Sequence, residues 1–113
     1  LDGIPEEARP EVLLLAGNSY RQLGNARAAR AVYDRLLTQF PSSSPSQDAR
    51  FHRLVSMYQL NDPNLLAEAD AFLASAPGPK QKAQISLIKA ETLFKAGKFA
   101  DAAPLYATVL SSD

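Results

Sequence analysis

Residues 10–41 read PEVLLLAGNSYRQLGNARAARAVYDRLLTQFP, and apolar residues recur at helical spacing on both sides of Gly24-Asn25. Before that dipeptide, the residues at i, i+3, i+4 and i+7 are apolar or small: Leu13, Ala16, Gly17 and Tyr20. After it, an apolar stripe follows one face from Ala29 to Phe40. Glycine can take the left-handed conformation that ends a helix, and asparagine can cap the next one. The segment therefore predicts two helices joined by a tight turn.

Four further segments of helical length follow, and each carries apolar residues at the same spacing. Stretches rich in proline and glycine separate them: Pro41–Pro45, Asp62-Pro63, Pro77–Pro79 and Gly97-Lys98. The segments are about 12–17 residues long, which is longer than an ordinary strand. The sequence therefore predicts an all-α chain of about six helices.

The first pair of helices has two weaker copies downstream. Equivalent residues lie 38 positions further on and then another 35. Three columns share these two offsets: Tyr20, Tyr58 and Leu93; Ala29, Ala67 and Ala102; and Tyr33, Ala71 and Tyr106. A shared period of this size is typical of a helical repeat array, in which each helix pair packs on its neighbours.

The repeat resembles the tetratricopeptide repeat (TPR) family. Residues of the first copy occupy the family's large, small, aromatic, turn, small, aromatic, apolar and terminal-proline columns: Leu13, Ala16-Gly17, Tyr20, Gly24, Ala29, Tyr33, Leu36 and Pro41. The later copies depart from the pattern in several places. Asp62 stands where the family prefers glycine, Ala71 where it prefers an aromatic residue, and Lys89 in an apolar column.

The resemblance implies a right-handed α-α superhelix of three TPR-like helical hairpins. It implies one array over residues 1–113, with repeats at about 10–45, 46–78 and 79–113. A narrower resemblance concerns residues 33–58, whose Y-x-x-L-L-x-x-F-P-x-S string is typical of TPR proteins of the bacterial cell envelope. The Tol–Pal-associated and outer-membrane-assembly lipoprotein families are examples. This likeness implies a bacterial protein of the periplasm or cell envelope rather than the cytoplasm.

In the family, the first helix of each pair lines a concave groove that takes an extended peptide or a partner helix. The resemblance thus implies a non-catalytic scaffold that binds a protein or peptide. Residues off the core stripe of the first, third and fifth helices are the predicted groove lining: Leu14, Asn18, Arg21 and Gln22; His52, Ser56 and Gln59; and Leu87, Glu91, Phe94 and Lys95.

Several of these residues also have a plain structural interpretation. Asn18 and Arg21 can face solvent at the groove edge, and His52 can be solvated or stacked instead of acting in catalysis or binding a metal. Phe94 can be core between helices rather than an apolar anchor. The residue types also argue against a clamp for a C-terminal carboxylate, because Leu14 stands where such TPR proteins carry lysine.

Composition excludes other classes of function. The chain has 113 residues, 12 basic and 12 acidic, so a nucleic-acid binder with a basic stripe is not expected. It has no cysteine and one histidine, and no nucleotide- or metal-binding motif. The sequence therefore predicts no enzyme, no cofactor, no metal and no membrane insertion. A convergent cluster of Arg21, His52 and Glu91 with a shifted histidine pKa would instead favour an enzyme.

The alternative function is structural. In this interpretation the chain is a self-assembling segment of a larger multi-repeat protein or oligomer. The last helix ends without a polar capping helix, and arrays usually need such a cap. The sequence therefore predicts an open apolar face around Leu105 and Val109, through which a homo-oligomer could form.

Overall fold

The computed structural model describes residues 3–111, and these contain helices but no strand. A short 3₁₀ helix, Glu6–Ala8, precedes six α-helices. Their bounds are α1 (Arg9–Gln22), α2 (Ala26–Gln39), α3 (Ser46–Gln59), α4 (Leu65–Ala74), α5 (Pro79–Lys95) and α6 (Phe99–Ser111). The prediction of an all-α chain with about six helices is confirmed.

The turns between helices follow local chemistry. Gly24 and Gly97 have φ angles of 77° and 78°, the left-handed conformation expected of them. The side chain of Asn25 accepts a hydrogen bond from the backbone N–H of Ala28 at 3.1 Å and so caps α2. After α3, Asn61 takes the left-handed conformation with φ 55°, one residue before the Asp62 that stands in the family's glycine column. Asparagine tolerates this conformation better than most residues, so the turn forms without glycine.

The chain divides into two compact units, one up to Leu60 and one from Asn61 onward. In the first unit α2 packs against both α1 and α3. Its buried core draws on all three helices: Leu13, Leu14, Ala29, Tyr33, Leu36 and Ala49. An ion pair of Arg53 with Asp34 also joins α3 to α2 at the surface.

A glycine sets the approach of α1 to α2. The ring of Tyr33 lies directly on the backbone at Gly17. A Cβ atom added there would lie 2.8 Å from Cδ1 and 2.9 Å from Cζ of Tyr33, and closer still to Cε1. Real Cβ atoms do not come this near to other heavy atoms, so the two helices can meet at this distance only because residue 17 has no side chain.

In the second unit α5 packs against both α4 and α6. Buried apolar residues from the three helices form its core: Leu65, Ala69, Phe72, Ile85, Ala90, Leu93 and Ala102. Lys89, the residue in the apolar family column, reaches from α5 to α4, where its Nζ lies 2.5 Å from Asp70 Oδ1. The division between the units falls between α3 and α4, inside the predicted repeat 46–78. A single array over 1–113 stays a prediction.

Candidate functional site

Three helices of the first unit bring polar side chains together around Tyr33. The ring of Tyr33 is 0 % exposed, but its hydroxyl reaches α1 and donates a hydrogen bond to Oδ1 of Asn18 at 2.6 Å. A buried tyrosine hydroxyl needs such a partner, because an unpaired one would lose its hydration without replacement. The guanidinium of Arg21, one turn further along α1, lies close enough to this hydroxyl to lower the pKa of Tyr33. Asn18, Arg21, Tyr33 and His52 are called the Tyr33 cluster below.

His52 completes the cluster from α3. Its ring stacks on that of Tyr33, with 6.0 Å between the ring centroids and 26° between the planes. Phe51 also contacts the imidazole edge-on, with 5.1 Å between the ring centroids. The stacked alternative considered for this histidine therefore matches its surroundings. The imidazole is half-buried, and it lies close enough to Arg21 to be affected by its positive charge.

Burial controls the titration of both rings. Desolvation lowers the pKa of His52 below its ordinary value of 6.5, and the positive charge of Arg21 lowers it further, against the opposing effect of Asp48. Desolvation raises the pKa of Tyr33 above 10.0, and Arg21 offsets part of that rise. At neutral pH the cluster therefore carries a neutral imidazole, a neutral phenol and one guanidinium charge.

The lowered pKa of His52 makes stability depend on pH. The unfolded chain takes up the histidine proton near pH 6.5, whereas the folded chain takes it up only at lower pH. The free energy of unfolding should therefore be unaffected by His52 above pH 6.5 and should fall as the pH drops below it. Urea unfolding at a series of pH values measures this slope, which His52→Gln should remove.

Because the chain has a single histidine, its ring can also be titrated directly by NMR. Arg21→Gln should raise the pKa of His52 toward 6.5, and Asp48→Asn should lower it further. A wild-type ring that titrates at or above 6.5 would contradict the placement of His52 against Tyr33 and Arg21.

An apolar depression lies beside the cluster on α1. It has a volume of about 460 Å³ and is lined by Leu15, Asn18, Ser19, Gln22 and Leu23. Leu15 and Leu23 are both exposed, although they are large apolar residues. Asn18 belongs to both the depression and the cluster, so polar and apolar surfaces are continuous along this helix.

The other predicted groove residues of the first unit differ in exposure. Leu14 is 8 % exposed and packs in the core with Ala49 of α3, so it offers almost no surface to a ligand. Ser56 is fully buried, and its hydroxyl has no hydrogen-bond partner among the described residues. Gln22 and Gln59 are exposed.

The remaining predicted residues lie on α5 in the second unit. Phe94 is 55 % exposed and contacts Phe99 edge-on at 5.1 Å between centroids, so it is a surface aromatic residue and not core. Leu87 and Lys95 are exposed, and Glu91 is half-buried. Arg21 and His52 do come together with a shifted histidine pKa, but Glu91 belongs to the other unit.

The sequence did not single out Tyr33 as the centre of the cluster. It assigned this residue only to an aromatic column of the repeat. The available signal was tyrosine, rather than phenylalanine, in a predicted core column, because a buried hydroxyl implies a polar partner nearby. Which partner it meets depends on how α1 and α2 pack.

Two searches of the described residues concern other kinds of site. Residues 3–111 contain no group of three or more histidine, cysteine, aspartate or glutamate side chains arranged to hold a metal ion. Within the same range, every helix is too short or too polar to cross a membrane.

Comparison with known proteins adds one match. Residues 11–43 match the family model described as a tetratricopeptide repeat. No curated protein and no solved structure matches the chain. The matched model describes the general repeat and does not support the cell-envelope resemblance. Tetratricopeptide repeats generally mediate protein–protein interactions. The match supports a tetratricopeptide repeat at residues 11–43, the helical hairpin that carries Asn18, Arg21 and Tyr33.

Proposed function

We propose that this chain is a non-catalytic protein-binding scaffold, and that the Tyr33 cluster binds an extended peptide segment of a protein partner. The observation that carries the proposal is the hydrogen bond from the buried Tyr33 hydroxyl to Asn18 at 2.6 Å. It fixes a polar side chain of α1 at the edge of the core before any ligand arrives. Fixed polar groups bind more tightly, because less freedom is lost on association.

Asn18 is suited to hold a peptide backbone. Since its Oδ1 accepts from Tyr33, the side-chain nitrogen is oriented away from that bond. This nitrogen has no hydrogen-bond partner among the described residues, although an amide can donate twice. A carbonyl oxygen of an extended peptide is the matching acceptor.

Arg21 and His52 favour a peptide with an acidic side chain. The guanidinium of Arg21 has five N–H donors, and its buried Nε has no hydrogen-bond partner among the described residues. Its charge is not neutralised within the cluster, because Asn18, Tyr33 and His52 carry no negative charge at pH 7. A carboxylate placed here would gain a charge-assisted hydrogen bond, which is stronger than a neutral one.

The depression beside the cluster supplies the apolar part. Leu15 and Leu23 are exposed apolar residues, and they line the depression together with Asn18. An apolar side chain of the ligand would be covered there while the backbone is held by Asn18. The preferred ligand is therefore an extended segment in which an acidic residue lies close to an aliphatic or aromatic one.

Selection of a random peptide library displayed on phage tests this proposal. We expect the wild-type chain to enrich peptides with neighbouring acidic and apolar residues. For one such synthetic peptide, Arg21→Gln and Asn18→Ala should each raise the Kd about tenfold, as expected for loss of a charge-assisted or well-placed hydrogen bond. Fluorescence anisotropy measures the change, and circular dichroism checks that the variants remain helical.

A matched control is Arg27→Gln on α2, which removes the same charge from an exposed position outside the cluster. It should leave the Kd within about twofold, as an exposed charge contributes little. If Arg21→Gln and Arg27→Gln have equal effects, the peptide is attracted only by net charge and the assignment to the Tyr33 cluster fails. Enrichment of basic peptides would also contradict it.

A second candidate function is self-association through α6. Leu110 on this helix is 73 % exposed, and Leu105 and Val109, predicted to form an open face, are half-buried. Sedimentation velocity over a range of concentrations distinguishes the candidates. A monomer at every concentration would exclude self-association and leave the peptide-binding proposal in place.

A further inference from the structure

We propose a second binding surface on the first unit, an acidic groove that takes a basic peptide segment containing an apolar residue. The groove lies where the start of α1 meets the loop between α2 and α3, and its volume is about 710 Å³. Its acidic lining residues, called the glutamate wall below, are Glu6, Glu7 and Glu11, and its apolar lining residues, called the floor, are Pro10, Phe40 and Pro45. It lies apart from the Tyr33 cluster, and neither proposal depends on the other.

The floor gives the groove an apolar character. Pro10 is buried, and Phe40 and Pro45 are half-buried, so part of each ring still faces the opening. Phe40 also packs against the core of the first unit, which holds its ring in place. A rigid apolar floor between polar walls is the common form of a ligand groove, and it favours an apolar side chain in the ligand.

The loop wall is held in one conformation by its own hydrogen bonds. The hydroxyl of Ser43 donates to the carbonyl of Phe40 at 2.8 Å, and the hydroxyl of Ser46 donates to the carbonyl of Ser43 at 2.7 Å. Arg50 donates to the carbonyl of Pro41 at 3.2 Å. Arg50 is therefore hydrogen-bonded to the loop and not to the glutamates of the wall. The groove therefore exists before a ligand binds, which lowers the entropy cost of binding.

The glutamate wall carries three carboxylates that no positive side chain among the described residues contacts directly. Within residues 3–111, Glu6, Glu7 and Glu11 form no ion pair, and the neighbouring Arg9 forms none either. Acidic residues are favoured at the start of α1, because the helix dipole stabilises negative charge there. The interaction with the helix dipole leaves the three carboxylates negatively charged. A ligand with positive charges is the complement of this wall.

The spacing of the carboxylates selects a peptide over a metal ion. No three acidic or histidine side chains among the described residues converge closely enough to hold one cation. Glu6 and Glu7 lie on the 3₁₀ helix, whereas Glu11 lies in the first turn of α1. Charges spread along a wall above an apolar floor fit an extended chain whose arginine or lysine side chains flank an apolar residue.

The probe for this surface is a capped synthetic peptide in which arginine alternates with leucine. We expect it to bind the whole chain and to shift the NMR amide signals of the non-proline residues in 6–11 and 40–45. A peptide alternating glutamate with leucine, and one alternating arginine with glycine, should each bind about tenfold more weakly. Binding of the first peptide should weaken as the salt concentration rises, because the charges on the wall are exposed.

Isosteric variants test the wall itself. The triple variant Glu6→Gln, Glu7→Gln, Glu11→Gln should raise the Kd for the arginine–leucine peptide about tenfold. The matched control removes the same charge from the second unit, with Glu68→Gln, Glu91→Gln and Asp101→Asn, and should change the Kd by less than about twofold. Equal effects of the two triple variants, absence of saturable binding, or shifts confined to the Tyr33 cluster would each overturn the proposal.

Discussion

Replacing Tyr33 by alanine is expected to lower the free energy of unfolding of the first unit by about 3–5 kcal/mol. The ring is 0 % exposed and packs on the backbone of α1 and on the imidazole of His52. Its removal leaves a cavity and deprives Asn18 of its hydrogen-bond donor. Urea unfolding followed through the NMR amide signals of the first unit measures the loss residue by residue.

Two smaller substitutions keep this test decisive if the alanine variant does not fold. Tyr33→Phe removes only the hydroxyl and should cost about 0.5–1.5 kcal/mol. The cost of Tyr33→Leu in free energy of unfolding should lie between those of Tyr33→Phe and Tyr33→Ala. Tyr20→Ala is the matched control, because this tyrosine of the same unit is 40 % exposed and should cost less than Tyr33→Ala. Equal costs for Tyr20→Ala and Tyr33→Ala would refute the central position of Tyr33.

Adding one methyl group at Gly17 is expected to lower the same free energy of unfolding by about 1–3 kcal/mol. Alanine usually stabilises a helix relative to glycine by about 1 kcal/mol, so the opposite sign would be informative. The reason is steric: the new Cβ would meet the ring of Tyr33, which is enclosed and cannot rotate away. Urea unfolding of Gly17→Ala checks the prediction.

Two comparisons isolate this steric effect. Gly78→Ala adds a Cβ that meets nothing within 4 Å, and it should be neutral or slightly stabilising. In a Tyr33→Leu background, Gly17→Ala should cost less, because the smaller side chain leaves room and the two sites are coupled. A Gly17→Ala variant that is more stable than wild type would show that α1 and α2 can separate without penalty.

The helices and their turns could be predicted from the sequence because their causes are local. Gly24 and Gly97 end helices in the left-handed conformation, and Asn25 caps α2 through its own side chain. Each depends on one or two residues and their neighbours along the chain. The contact of Gly17 with Tyr33 could also be predicted, since a small residue on one helix that faces a large one on the next indicates close packing.

Features that depend on packing could not be predicted in the same way. Leu14 lies off the apolar stripe of α1, and helical spacing alone placed it on the surface. The core of the first unit also includes Ala49 of α3, so a second face of α1 is covered and Leu14 is buried. The division of the chain between α3 and α4 could not be predicted either, because a repeat pattern in sequence does not determine which helices pack together.

The candidate site was predicted in part. The groove lining predicted from the repeat resemblance included Asn18, Arg21 and His52, and in the structure all three lie around the side chain of Tyr33. The buried hydroxyl that joins them could not be derived from spacing, since Tyr33 lies on the intervening helix. Their role in binding a peptide stays a prediction until the Arg21 and Asn18 variants are measured.

The ion pair of Lys89 with Asp70 has a consequence for how such chains are recognised by sequence. A profile that scores each column independently counts Lys89 as a mismatch, although its charge is compensated by a residue on the preceding helix. Only the two positions together, Lys89 and Asp70, show that the helix contact is preserved. Among related sequences, a leucine at position 89 should therefore be accompanied by loss of the acid at position 70, and this covariation would identify the α4–α5 contact where single-column similarity fades.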